Sequence, residues 1–265
     1  MKKALLFALA LVVIPVGVDA QVTPSASCAD TSPSSALEDV RSCAEQGYAV
    51  AQARLGRMHA LGEGVPEDYA EAIRWFRLGT EQGNAVAQNG LGAMYAQGWG
   101  VPEEAAEAVR WFRLAAEQGY ASAQFNLGAM YAAGWGVPED AAEAVRWFRL
   151  AAEQGDADAQ LNLGLAYVRG VGVPGDYAEA VRWVRLAAEQ GDADAQYNLG
   201  IMYANGDGIA EDNVLAYMWY NLAADQGSEI AQDKKDLIEE RMTREQIAEA
   251  QRLSREWLEA HPPGN

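Results

Sequence analysis

Six glycines, Gly47, Gly83, Gly119, Gly155, Gly191 and Gly227, stand 36 residues apart without a slip, and the chain between them repeats itself. A fixed period of about 20 to 50 residues marks a stacked repeat array, in which each unit buries its apolar face only against its neighbours. Length therefore counts copies, and 265 residues do not imply one or two closed cores. Five full copies run over 48–83, 84–119, 120–155, 156–191 and 192–227. The second, NAVAQNGLGAMYAQGWGVPEEAAEAVRWFRLAAEQG, represents them all.

Within that copy Gln88, Leu91, Gly92 and Tyr95 fall at i, i+3, i+4 and i+7, one face of a helix. A polar residue such as Asn84, Asp156 or Asp192 stands before this helix, where it can cap free backbone N–H groups. Gly92 recurs as Gly56, Gly128, Gly164 and Gly200. A mid-helix glycine costs about 1 kcal/mol relative to alanine, so its recurrence predicts close approach by another helix. A Gly-x-Gly-Val-Pro turn, Gly98 to Pro102, then ends the first helix and lets a second begin. Glu103 and Glu104 follow where a helix dipole favours acids. The second helix carries Ala108, Trp111, Phe112 and Ala115 at the same spacing, and its tryptophan returns as Trp75, Trp147, Trp183 and Trp219. Such a stripe is core, and Trp111→Ala should cost about 3 to 5 kcal/mol.

The flanks differ. Met1 to Ala20 has a basic start, an apolar run and a small-residue end, the pattern of a cleaved secretory signal that is too short for a membrane span. Residues 21–35 read as a flexible leader. Residues 36–47 align with the second helix of a copy and predict a lone capping helix. In an exported chain, Cys28 and Cys43 are read most simply as a disulfide; the rival is a lipid anchor at Cys28. Residues 228–265 predict two further helices, over Ser228 to Glu239 and Thr243 to Glu259, with Thr243 and Gln246 at capping-box spacing, and then a frayed tail.

The strings AQFNLGAMYAAGWGVPEDAAEAVRWFRLAAEQG and AQYNLGIMYANGDGIAEDNVLAYMWYNLAADQG resemble Sel-like repeats (SLR), relatives of the tetratricopeptide repeat, over residues 48–227. The C-terminal string MTREQIAEAQRLSREW is similar to the tail of exported SLR proteins. The resemblance implies an all-α fold, a right-handed α/α superhelical solenoid of paired antiparallel helices. It implies a protein-interaction scaffold of the exported bacterial type, periplasmic or secreted. A cysteine-rich subgroup is associated with penicillin binding or β-lactamase activity, but this chain lacks a cysteine pair in every repeat, and that activity is not carried over.

Motifs for chemistry are missing from the sequence. His59 and His261 have no partner at catalytic spacing, and His59 stands in the column of Tyr95, Tyr131, Tyr167 and Tyr203, a packing position. No zinc cluster, phosphate loop or glycine-flanked serine is present, and no cofactor is expected. The net charge of −18 argues against nucleic acid and anionic lipid as partners. Columns that vary between otherwise matching copies are then the place to seek a protein partner. One reads Ala53, Asn89, Phe125, Leu161, Tyr197; the next reads Arg54, Gly90, Asn126, Asn162, Asn198; the turn column reads Glu63, Trp99, Trp135, Val171, Asp207. Because helical arrays present first helices along a concave surface, the candidate contacts are Asn89, Trp99, Phe125, Asn126, Trp135, Asn162, Tyr197 and Asn198. Each tryptophan could instead pack on its own turn. The rival functions are an envelope enzyme of the penicillin-recognising kind and a tethering or oligomerising module.

Overall fold

A 36-residue copy has room for two helices of three to four turns and two short connections, and each copy folds that way in a computed structural model. The structure describes Cys28 and residues 37–261; the signal, the leader apart from Cys28, and the last four residues lie outside the described residues. Among the described residues there are thirteen helices and no strand. Adjacent helices pack in pairs, as the sequence implied. They fall into two compact units, Met1–Leu150 and Ala151–Asn265, each treated by itself below.

The first unit contains α1 (Leu37–Glu45), α2 (Ala49–Leu61), α3 (Tyr69–Glu81), α4 (Ala85–Gln97), α5 (Ala105–Glu117), α6 (Ala121–Ala133) and most of α7 (Ala141–Glu153). Gly92 of α4 lies where a Cβ would come within 2.7 Å of the Phe112 ring of α5, and Gly56 and Gly128 face Phe76 and Phe148 in the same way. This is the close approach that the recurring glycine predicted. The ring enters the notch and becomes fully buried, as Phe76, Phe112 and Phe148 are, each contributing roughly 1.5 to 3 kcal/mol. Of the tryptophan stripe, Trp75 and Trp147 are buried in this unit and Trp111 half-buried. Arg74, Arg110 and Arg146 lie 4.0, 4.7 and 4.2 Å over the faces of Trp75, Trp111 and Trp147, and each arginine is bonded to the glutamate three residues earlier.

The turn after α4 shows why two glycines are needed. Gly98 has φ 67° and donates its N–H to the Met94 carbonyl, a left-handed helix end. Gly100 lies against α3, where a Cβ would meet Cβ of Tyr69 at 2.8 Å. Asp68 and Asp140 then cap α3 and α7 by accepting two N–H groups each, whereas Glu104 caps α5 with no side-chain bond. Cys28 and Cys43 form a disulfide with Cα atoms 5.5 Å apart, buried beside Val40 and Leu55, so Cys28 has no thiol free for a lipid.

The second unit contains α8 (Ala157–Arg169), α9 (Tyr177–Glu189), α10 (Ala193–Asn205), α11 (Asn213–Asp225), α12 (Glu229–Glu239) and α13 (Arg244–Ala260). Its notches hold other residues: Gly164 faces Val184 and Gly200 faces Tyr220, each with a Cβ contact of 2.6 Å. Thr243 and Gln246 form the expected capping box at α13. Trp257 of α13 meets Trp219 of α11 edge-on at 6.1 Å, which closes the last copy.

One polar column recurs in each unit. Gln52, Gln88, Gln124, Gln160 and Gln196 are buried on first helices. Gln52, Gln88, Gln160 and Gln196 each accept from the amide of the residue 30 positions later, Gln82, Gln118, Gln190 and Gln226, at 2.7 to 2.9 Å. Gln52, Gln124, Gln160 and Gln196 also donate to a carbonyl eight residues earlier. Buried amides are tolerated because their bonds are made.

Candidate interaction surface

The varying columns lie on the first helices and in the turns, but they are not equally open. In the first unit Asn89 is 1% exposed and Asn126 3% exposed, and the Asn126 Nδ2 donates to the Asn89 Oδ1 at 2.9 Å. Phe125 is 6% exposed and tilts against Phe148 at 5.8 Å between ring centres. These three candidate contacts are therefore corrected: they face neighbouring helices and not solvent. The reason is visible at Gly90, one position beyond Asn89, where a Cβ would strike the Phe76 ring at 2.5 Å. Variation there follows the shape of the neighbour. The Asn89 Nδ2 is itself buried without a partner.

The turn tryptophans differ from each other. Trp99 is half-buried and stacks on Tyr69, with centres 5.6 Å apart and planes 6° from parallel. Packing on the array thus describes Trp99. Trp135 is half-buried against the cluster around Phe112 and Met130, and the residue in register with Tyr69 is Ala105, which offers no ring. His59 is half-buried with Nδ1 unpartnered, in a column whose Tyr131 accepts from Arg113 at 2.8 Å and whose Tyr203 accepts from Arg185 at 3.1 Å.

In the second unit the candidates remain nearer the surface. Asn162 and Asn198 are half-buried, and each donates Nδ2 to the carbonyl four residues earlier, Asp158 at 2.8 Å and Asp194 at 2.7 Å. Tyr197 is half-buried with one side tilted against Tyr220 at 6.0 Å. Burial, and then Tyr197, push the Tyr220 hydroxyl up to about 12, so it stays protonated. Half-buried Leu165 and Ile201 stand on the same helices.

The starts of α8 and α10 hold a feature absent from the candidates named above. Asp156 and Asp192 cap these helices, accepting from Ala159 N–H at 2.9 Å and Ala195 N–H at 2.6 Å. Burial pushes both carboxyls above the usual carboxylate range in spite of those bonds. Burial raises Asp158 as well, followed by repulsion from Asp156 and Asp194. The equivalents of Asp158 and Asp194 in the earlier copies are Val50, Val86 and Ser122, so the varying-column criterion could have found this pair in the strings DADAQ. Among the described residues no group of three or more His, Cys, Asp or Glu side chains is placed to hold a metal ion, and no helix is long and apolar enough to cross a membrane.

Comparison with known proteins accounts for the repeated part. The Sel1 repeat model matches five consecutive spans, 49–84, 85–120, 121–156, 157–192 and 193–228. No curated protein matches. Among solved structures, the Sel1 repeat protein from Oxalobacter formigenes is 37% identical with a TM-score of 0.67, over 81% of this chain and 87% of that one. The crystal structure of c5321, a protective antigen present in uropathogenic Escherichia coli strains displaying an SLR fold, is 31% identical with a TM-score of 0.56. That match covers 84% of this chain and 56% of the other, so the chain spans a little over half the length of the Escherichia coli protein. A putative Sel1 repeat protein from Klebsiella pneumoniae shares the fold at 24% identity and a TM-score of 0.52, over 76% of this chain and 97% of that one. With its notch glycines, capped helix pairs and five matched spans, the chain belongs to the Sel1 repeat family.

Proposed function

We propose that the protein is an exported, non-enzymatic scaffold that holds a protein partner on the concave side formed by its first helices. Sel1 repeats generally serve as protein-interaction scaffolds. The observation that carries the reading is the division of labour within a copy. Notch glycines, second-helix rings and the glutamine column are occupied with packing, while Asn162, Tyr197 and Asn198 stand in columns that vary along the array and keep part of their surface exposed. In the first unit Trp135 has that character, with Trp99 contributing only the edge left by its stack. Export is part of the proposal and rests on the signal-like first twenty residues together with the disulfide.

The test is capture from a bacterial envelope extract on immobilised protein, comparing the wild type with Tyr197→Ala and Trp135→Ala. Recovery of a partner by the wild type and a loss of about tenfold in affinity in either variant is expected, the size typical of an interface anchor. Equal capture by both variants would remove the surface from consideration.

A further inference from the structure

In the second unit a partly exposed apolar row stands in register with the aspartates, and the two together define a partner. Leu165 of α8, Ile201 of α10 and Leu237 of α12 stand 36 residues apart in the same register. The first two are half-buried and Leu237 is 48% exposed. Seven residues earlier on each helix stand Asp158, Asp194 and Ile230, the last 61% exposed. Seven residues are two helical turns, so the acidic row and the apolar row lie on one side of the helices about 10 Å apart. Large apolar side chains left open in a row on successive helices mark an interaction surface more often than scattered ones do.

Charge identifies the occupant. Beyond the effect of burial, Asp158 is repelled by Asp156 and Asp194, and Asp192 by Asp158 and Asp194. Mutual repulsion in a partly desolvated setting favours an incoming positive charge, and it disfavours a negative one by the same argument. Asp156 and Asp192 are already engaged as caps, which leaves the half-buried Asp158 and the exposed Asp194 as the carboxylates with no capping role. We infer that the first-helix side of α8, α10 and α12 docks a basic amphipathic peptide segment, a lysine or arginine reaching Asp158 and Asp194 while apolar side chains cover Leu165, Ile201 and Leu237. An extended segment rises about 3.3 Å per residue, so a cation and an apolar residue three positions apart match the two rows.

This inference rests on the scaffold reading and names the chemistry of its partner. The direct probe is a labelled synthetic peptide alternating lysine and leucine at three-residue spacing, with a control carrying glutamate at every lysine, titrated onto the full chain by fluorescence anisotropy. The basic peptide is expected to bind, and its affinity to fall as salt is raised. Asp158→Asn with Asp194→Asn should weaken it at least tenfold and flatten the salt dependence. Ile230→Ser with Leu237→Ser should weaken it severalfold and leave that dependence intact. Asp158→Asn removes a charge that burial opposes and Asp194 is exposed, so folding, followed by helical circular dichroism, should survive. Equal binding of the glutamate peptide, or undiminished binding by the Asn variant, overturns the inference. The two readings separate on the captured envelope partner: if Tyr197→Ala releases it and the Asn variant does not, the scaffold stands and the basic-segment assignment falls. Insensitivity to Tyr197→Ala, Trp135→Ala and the Asn variant together defeats both.

Discussion

At the scale of single residues, the notch between Gly92 and Phe112 shows how a locally unfavourable choice becomes stabilising. Alanine at 92 would gain about 1 kcal/mol of helix propensity, but its Cβ would stand 2.7 Å from the ring. Overpacking of this kind costs about 1 to 3 kcal/mol, so Gly92→Ala should lower stability by about 1 kcal/mol net in urea unfolding. The aspartates make a second residue-scale prediction. Asp158 has a folded-state carboxyl raised above its unfolded value, so its protonated form is favoured in the fold. Any stability it contributes is present below the unfolded value and is lost as pH rises through the folded one. Asp158→Asn should therefore be more stable than the wild type at neutral pH, the difference shrinking as pH falls through the carboxylate range. A constant difference from pH 3 to 7 would contradict that assignment.

Helices and turns are the scale at which the sequence was most informative. The period, the Gly-x-Gly turns, the notch glycine and the capping box at Thr243 are local patterns whose physical cause lies within a few residues, and the helices form where those patterns stand. Burial of Asn89, Phe125 and Asn126 was not legible, because it depends on the Phe76 and Phe148 rings and on an amide pair 37 residues apart. Likewise Trp99 differs from Trp135 through Tyr69, a residue 30 positions upstream that the next copy replaces with Ala105. Caps allow a sharper prediction. Glu104 makes no cap bond where Asp68 and Asp140 make two, so Glu104→Asp should raise stability by about 0.5 to 1 kcal/mol, measured as a shift in the urea midpoint. The disulfide acts on α1 in a different way, by restricting the unfolded chain. With its ends 15 positions apart, replacing both cysteines by serine should cost about 3 kcal/mol and release α1 first.

For the molecule as a whole, stacking falls to what the copies share and, on the proposed function, recognition to where they differ on the first helices. Exposure alone does not make this distinction, since Leu186 on the second helix α9 is also exposed. A partner's affinity for three forms of the full chain, the wild type, Tyr197→Ala and Leu186→Ser, measures it directly. Tyr197→Ala should lose about tenfold and Leu186→Ser should bind unchanged. A loss confined to Leu186→Ser, with Tyr197→Ala binding as the wild type does, would place recognition on the second helices and overturn the proposed function.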